Sequence, residues 1–212
     1  MIYTLIEPKH PLLHSPLPEI TAETEPEDRK ELMDNIVETM KHYGGIGLSA
    51  NQVGIALRMF VFGDNKNYIP CFNPKILEYG KDKIPIEEGC LTYPGLFVKI
   101  FRPDMIVAQW EDENRELHKE TFTELQSRVF QHEYDHMEGI DFRSLAGRVS
   151  LDMAQRKVKR ATRKMKKNGR KLRNALTFFS EFEIIEVEDE RLSNSCFRKW
   201  FPFGNVLVPA TV

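Results

Sequence analysis

The sequence predicts an α+β fold: antiparallel strands packed around a central helix, with an N-terminal helix before them and a basic C-terminal helix behind. Three observations carry this expectation. Short apolar and β-branched runs, separated by turn residues, follow one another between residues 57 and 122. Helical periodicity at about 27–42, and helix start and stop residues from Thr123 to about Glu138, bracket them. Residues 156–173 hold 11 Lys and Arg and no acid.

The elements follow in order. Five prolines between 8 and 26 (Pro8, Pro11, Pro16, Pro18, Pro26) predict an extended, irregular arm. Pro26, followed by Glu27 and Asp28, suits the first turn of a helix whose Leu32, Ile36, Val37 and Met40 recur at helical spacing. The glycines of Tyr43-Gly44-Gly45-Ile46-Gly47 end it. Leu57–Phe62, Cys71–Glu78, Leu96–Phe101, Ile106–Trp110 and Leu117–Phe122 read as strands. Thr123 opens the central helix and Gly139 caps it. Ser150 is placed to cap a third helix over about 150–172, and Phe182–Val187 is strand-like within an acidic stretch. The expected organisation is one α+β domain over 1–170 and a C-terminal extension over 171–212 of unassigned role.

The chain has 212 residues and a net charge of -2, enough to bury a sizeable core. At 41% hydrophobic and 29% charged it is neither collagen-like, nor a disulfide scaffold, nor disordered throughout. The near-neutral charge conceals a division: without 156–173, 19 basic groups face 32 acidic ones, or -13. No apolar run approaches the roughly 18 residues that span a bilayer, and the opening MIYTLIEPKH has too short an apolar patch for a signal peptide. Cys71, Cys90 and Cys196 are odd in number and widely spaced, so they read as reduced thiols, and the expected compartment is the cytoplasm.

The strongest chemical signal is His132-Glu133-Tyr134-Asp135-His136. Histidines four apart on a helix point the same way and form a ready pair of metal ligands, with Glu133 near enough to serve as a base. Tyr134 and Met137 read as packing residues. A tetrahedral site needs a third protein ligand. No histidine follows His136, and Glu138 is too close along the helix. Upstream, Cys90 lies in Glu87-Glu88-Gly89-Cys90-Leu91-Thr92, and a thiolate suits a borderline divalent ion. Taken alone, a cysteine is more often a small buried hydrophobe, the reading kept for Cys71 and Cys196. A third segment, Gly45-Ile46-Gly47-Leu48-Ser49-Ala50-Asn51-Gln52-Val53-Gly54, is glycine-rich but lacks the Lys-Ser/Thr of a phosphate loop. Arg102, at a strand end, reads as exposed rather than paired.

Together the three segments, GIGLSANQVG at 45–54, EGCLT at 88–92 and QHEYDHMEG at 131–139, resemble the peptide deformylase family. The resemblance covers about residues 8–170, including the Pro11-Leu12-Leu13 arm, and does not clearly cover 175–212. Ser49 stands where the family commonly has Ala, and Thr92 where it commonly has Ser. The resemblance implies that Cys90, His132 and His136 hold one divalent metal, natively Fe(2+), with Zn(2+), Ni(2+) or Co(2+) able to replace it. It implies hydrolysis of the formyl group of N-formyl-methionyl nascent peptides by metal-bound water, releasing formate. It further implies that Glu133 acts as base and then acid, while Gln52 and the Leu91 N–H steady the oxyanion. Substrate backbone is expected along Ile46 and Gly47, near Gly89. The methionine side chain is expected among Ile46, Leu125, Val129 and the His132 ring, with Glu88 behind or beside that pocket.

Two rival readings remain open at this point: a metallopeptidase acting on unformylated peptides, and a binding module with a structural metal. The basic run is either a solvated helix or a ribosome-docking element that contacts RNA phosphates, as in some family members. No membrane partner is expected, and the expected state is a monomer.

Overall fold

Leu32, Ile36, Val37 and Met40 line one side of helix α1 (Arg29–His42) and are buried in an apolar cluster with Leu48, Met59, Val61 and Phe72. The helix opens two residues later than its prolines suggest. Asp28 takes the cap position and accepts a hydrogen bond from the Glu31 N–H at 2.9 Å, which leaves Pro26 outside. The computed structural model describes residues 1–63, 67–167, 182–185 and 206–209. In the N-terminal arm a single 3-10 turn, Pro11–Leu13, buries Leu13.

Seven strands follow: β1 (Gly47–Ser49), β2 (Met59–Gly63), β3 (Tyr68–Tyr79), β4 (Lys83–Gly89), β5 (Phe97–Pro103), β6 (Met105–Glu111) and β7 (Leu117–Thr123). All their pairings are antiparallel. Five form one sheet in the order β1-β2-β3-β6-β7, while β4 and β5 form a separate ribbon. The expected strands all occur, and β1 and β4 are additional. In β4, Pro85 and the pair Glu87-Glu88 interrupt the apolar alternation that marks a strand, and its pairing comes from β5, with Pro85 opposite Phe101.

Strand β7 passes into helix α2 (Glu124–Met137) without a loop, the change of direction taken by Glu124 in the left-handed region (φ 52°). Nine of the helix's 14 residues are buried. Phe130 and Met137 join Phe60, Phe62, Ile106, Trp110 and Phe122 in a second apolar cluster. Gly139, at φ 67°, ends the helix where a Cβ would meet the Ser15 backbone at 2.6 Å.

Two compact units divide the chain, Met1–Ala154 and Gln155–Val212, and the boundary falls within helix α3 (Arg148–Lys167). Helix α3 begins before Ser150, so that serine is a helix residue and not the cap. In the second unit β8 (Phe182–Ile185) pairs antiparallel with β9 (Val206–Pro209). Cys196 and the basic residues Arg170, Lys171 and Arg173 lie outside the described residues. Among the described residues no helix is long and apolar enough to cross a membrane.

Candidate metal centre and active site

Helix α2 supplies two imidazoles and the end of β4 a thiol. The ligating atoms of Cys90, His132 and His136 all lie within 4.8 Å of one another. Cys90 Sγ is 3.3 Å from His136 Nε2. Burial pushes the Cys90 thiol up, but the imidazoles of His136 and His132 outweigh it and hold the thiol well below its ordinary range. The thiolate is the form that ligates. Burial alone would lower both histidines, and the facing Cys90 instead raises them. Two nitrogens and one sulfur around a common point fit a borderline divalent ion, with a coordination position left over.

Glu133 is buried beside this cluster. Burial raises its carboxyl to about 7, against the pull of His132 and His136. Its Oε2 is one of two buried side-chain polar atoms, among the described residues, without a hydrogen-bond partner. A buried oxygen left unpaired is costly unless something transient uses it. Gly47 makes room for it: a Cβ there would lie 2.9 Å from Glu133 Cγ and closer still to Oε1.

Gln52 is fixed by the residues around it. Its Oε1 accepts from the Ser49 N–H at 3.0 Å and lies 2.9 Å from the Ser49 hydroxyl. Its Nε2 reaches Thr92 Oγ1 at 3.0 Å and Cys90 Sγ at 3.4 Å. Ser49 and Thr92, the two departures from the common family pattern, therefore both contact the amide that faces the thiol. Asn51, which the motif reading left without a role, donates to the His136 carbonyl at 2.8 Å.

Glu88 lies behind His132, its Oε2 3.0 Å from Nδ1, which leaves the other ring nitrogen for the cluster. Arg102 corrects the sequence expectation. It is 5% exposed, not at the surface, and grips Glu88 through Nε at 2.6 Å and Nη2 at 2.9 Å while Nη1 reaches Asp135 at 2.6 Å. Burial works to raise the Glu88 carboxyl, but His132 and Arg102 keep it far below the ordinary carboxylate range. Sequence reasoning missed Arg128 and Asp135. For Arg128 the signal lay in spacing: it is four residues before His132, on the histidine face of the helix.

Of the expected substrate contacts, Ile46 and Val129 meet in the second apolar cluster. Leu125 is 52% exposed on the first turn of α2, outside that cluster. Leu91 packs against the first cluster. Gly89 faces the Phe97 ring so closely that an added Cβ would lie 2.5 Å from it. Cys71 is a buried hydrophobe, as expected.

Comparison with known proteins points to one family. The family model of polypeptide deformylase matches residues 2–150. A peptide deformylase of Thermotoga maritima is 40% identical over 114 residues, covering 54% of this chain and 70% of that protein. A crystal structure of peptide deformylase from Thermotoga maritima superposes with a TM-score of 0.66 at 33% identity, covering 69% of this chain and 99% of the other. The Acinetobacter baumannii class I type b enzyme, solved with Met-Ala-Ser bound, gives 0.64 at 25% identity, covering 68% of this chain and 98% of the other. The three motif segments, the Cys/His/His cluster and these matches lead to one conclusion: the chain belongs to the polypeptide deformylase family and is a hydrolase.

Proposed function

We propose that the chain deformylates N-formyl-methionyl peptides with one divalent ion held by Cys90, His132 and His136, iron(II) being the expected native ion and Zn(2+), Ni(2+) or Co(2+) substitutes. The observation that carries this reading is the convergence of those three donors beside the unpartnered, buried Glu133 Oε2. When bound, such an ion acidifies a water and polarises a carbonyl oxygen.

The chain's own residues do the rest. Glu133 takes the proton of the attacking water as hydroxide adds to the formyl carbon, then hands a proton to the departing amine as the C–N bond breaks. One water is consumed, and formate and a free N-terminal methionine result. Gln52 Nε2 and the Leu91 N–H are the donors for the oxyanion. Strand β1 ends its sheet, so a peptide backbone adds along Ile46 and Gly47 as a further strand, near Gly89. Ile46, Val129, the His132 ring and the exposed Leu125 receive the methionine side chain, with Glu88 behind the ring. On this reading the ligand-bearing helix is the centre of the active fold. Lys157, Lys159, Arg160, Arg163 and Lys164 are exposed on α3 and suit docking on ribosomal RNA phosphates, with steep salt dependence.

The Met-Ala-Ser complex of the relative supplies the test compound. Anaerobically metal-loaded full chain releases formate from formyl-Met-Ala-Ser and leaves Met-Ala-Ser intact. Cleavage of the peptide bonds of unformylated Met-Ala-Ser without formate release from the formyl peptide would favour a metallopeptidase instead.

A further inference from the structure

The two histidines and the cysteine come from elements that share no sheet. The histidines are on α2, while Cys90 follows the last residue of β4 in the β4–β5 ribbon. Something must hold the ribbon against the helix at ligand spacing. Arg128 spans that gap. It is 2% exposed and among the largest fully buried side chains of the molecule. Its Nη2 donates to the Ile84 carbonyl of β4 at 2.6 Å, and its Nη1 to the Ile100 carbonyl of β5 at 3.1 Å and to Glu88 Oε1 at 2.9 Å. Glu88 in turn lies against His132 Nδ1. One guanidinium thus holds both strands of the ribbon and the carboxylate behind a ligand.

We propose that Arg128 is a positioning residue of the metal centre: it fastens the β4–β5 ribbon that carries Cys90 to the helix that carries both histidines, and it steadies Glu88 against His132. The residue choice follows from the chemistry. Two carbonyls on different strands and a carboxylate need several fixed, divergent donors, which a planar guanidinium has and an ammonium lacks. Arg102 holds Glu88 from the β5 side and Asp135 on α2, so the carboxylate is gripped from both elements. Outer-shell partners of this kind change metal affinity by about 10–100-fold when removed.

The inference rests on Cys90, His132 and His136 being the ligands, and cobalt separates the two claims. Full-length protein loaded with Co(2+) shows a thiolate-to-cobalt absorption band if Cys90 ligates; no such band in the unaltered protein would overturn the metal site itself. With the band present, Arg128→Met is expected to lose Co(2+) about 10–100-fold more readily, with a shifted visible spectrum and a fall in kcat larger than any rise in KM. Arg128→Lys keeps the charge but gathers its three donors on one rotating nitrogen in place of a fixed fork, and is expected to lie between the two. An Arg128→Met protein that folds with unchanged affinity and spectrum would overturn the proposal. If Arg128→Met does not fold, Arg128→Lys decides: unaltered cobalt affinity and spectrum would overturn it equally.

Discussion

The two faces of helix α2 are both buried, yet they are held by different physics. On one face Phe130 packs among Phe60, Phe62, Phe122 and Trp110, with ring centroids 5.1–6.2 Å apart. That contact is apolar area plus edge and stacked ring geometry, and it is tolerant of small shifts. On the other face Arg128, His132 and Asp135 meet Glu88 and Arg102 from the ribbon. Buried charges cost too much to be left single, so that face is stable only with every partner in place. The contrast divides the labour of the helix: the aromatic face supplies stability, and the charged face fixes the geometry of the Cys90, His132 and His136 cluster.

The largest stability effect should come from the apolar face. Phe130→Ala removes a fully buried ring and is expected to cost about 3–5 kcal/mol in denaturant unfolding. Metal affinity of the folded fraction should stay near normal. A variant that instead kept its stability and lost metal would erase the distinction between the faces. Gly47→Ala should act the other way and with a smaller stability cost, about 1–3 kcal/mol, because the added methyl collides with the Glu133 carboxylate. Its expected outcome is a fall in kcat with bound metal retained, read by formate release and metal content. Normal turnover would mean that the Glu133 position is not set by the space at Gly47.

The strands that bring Phe60, Phe62, Trp110 and Phe122 to the aromatic face were legible in the sequence, because runs of apolar and β-branched residues report burial directly; Phe130 itself carried no such signal. The pair His132 and His136 was legible for another reason: few residue types ligate metals, and a four-residue helical spacing is local. Cys90 joined them only through the family resemblance, and the structure brings the three side chains together. The charged face was not legible. Arg102 read as a surface arginine because an isolated arginine at a strand end usually is one. What buries it is Glu88, 14 residues away on a neighbouring strand, together with Asp135 on α2. Glu88 also hides Arg128. Strand β4 went unread with them, since its Pro85 and paired acids interrupt the pattern and only β5 completes it. Sequence proximity reports ligands on one helix; it does not report a charge balance assembled from three elements.

Everything proposed for the reaction depends on Glu133 working as base and acid beside an ion held by Cys90, His132 and His136. Glu133→Gln isolates that role, because the amide keeps the shape and cannot take the proton. Metal content of the purified variant should equal that of the unaltered chain, while formate release from formyl-Met-Ala-Ser should fall about 10²–10⁴-fold. Near-normal formate release at full metal content would contradict the assignment of Glu133.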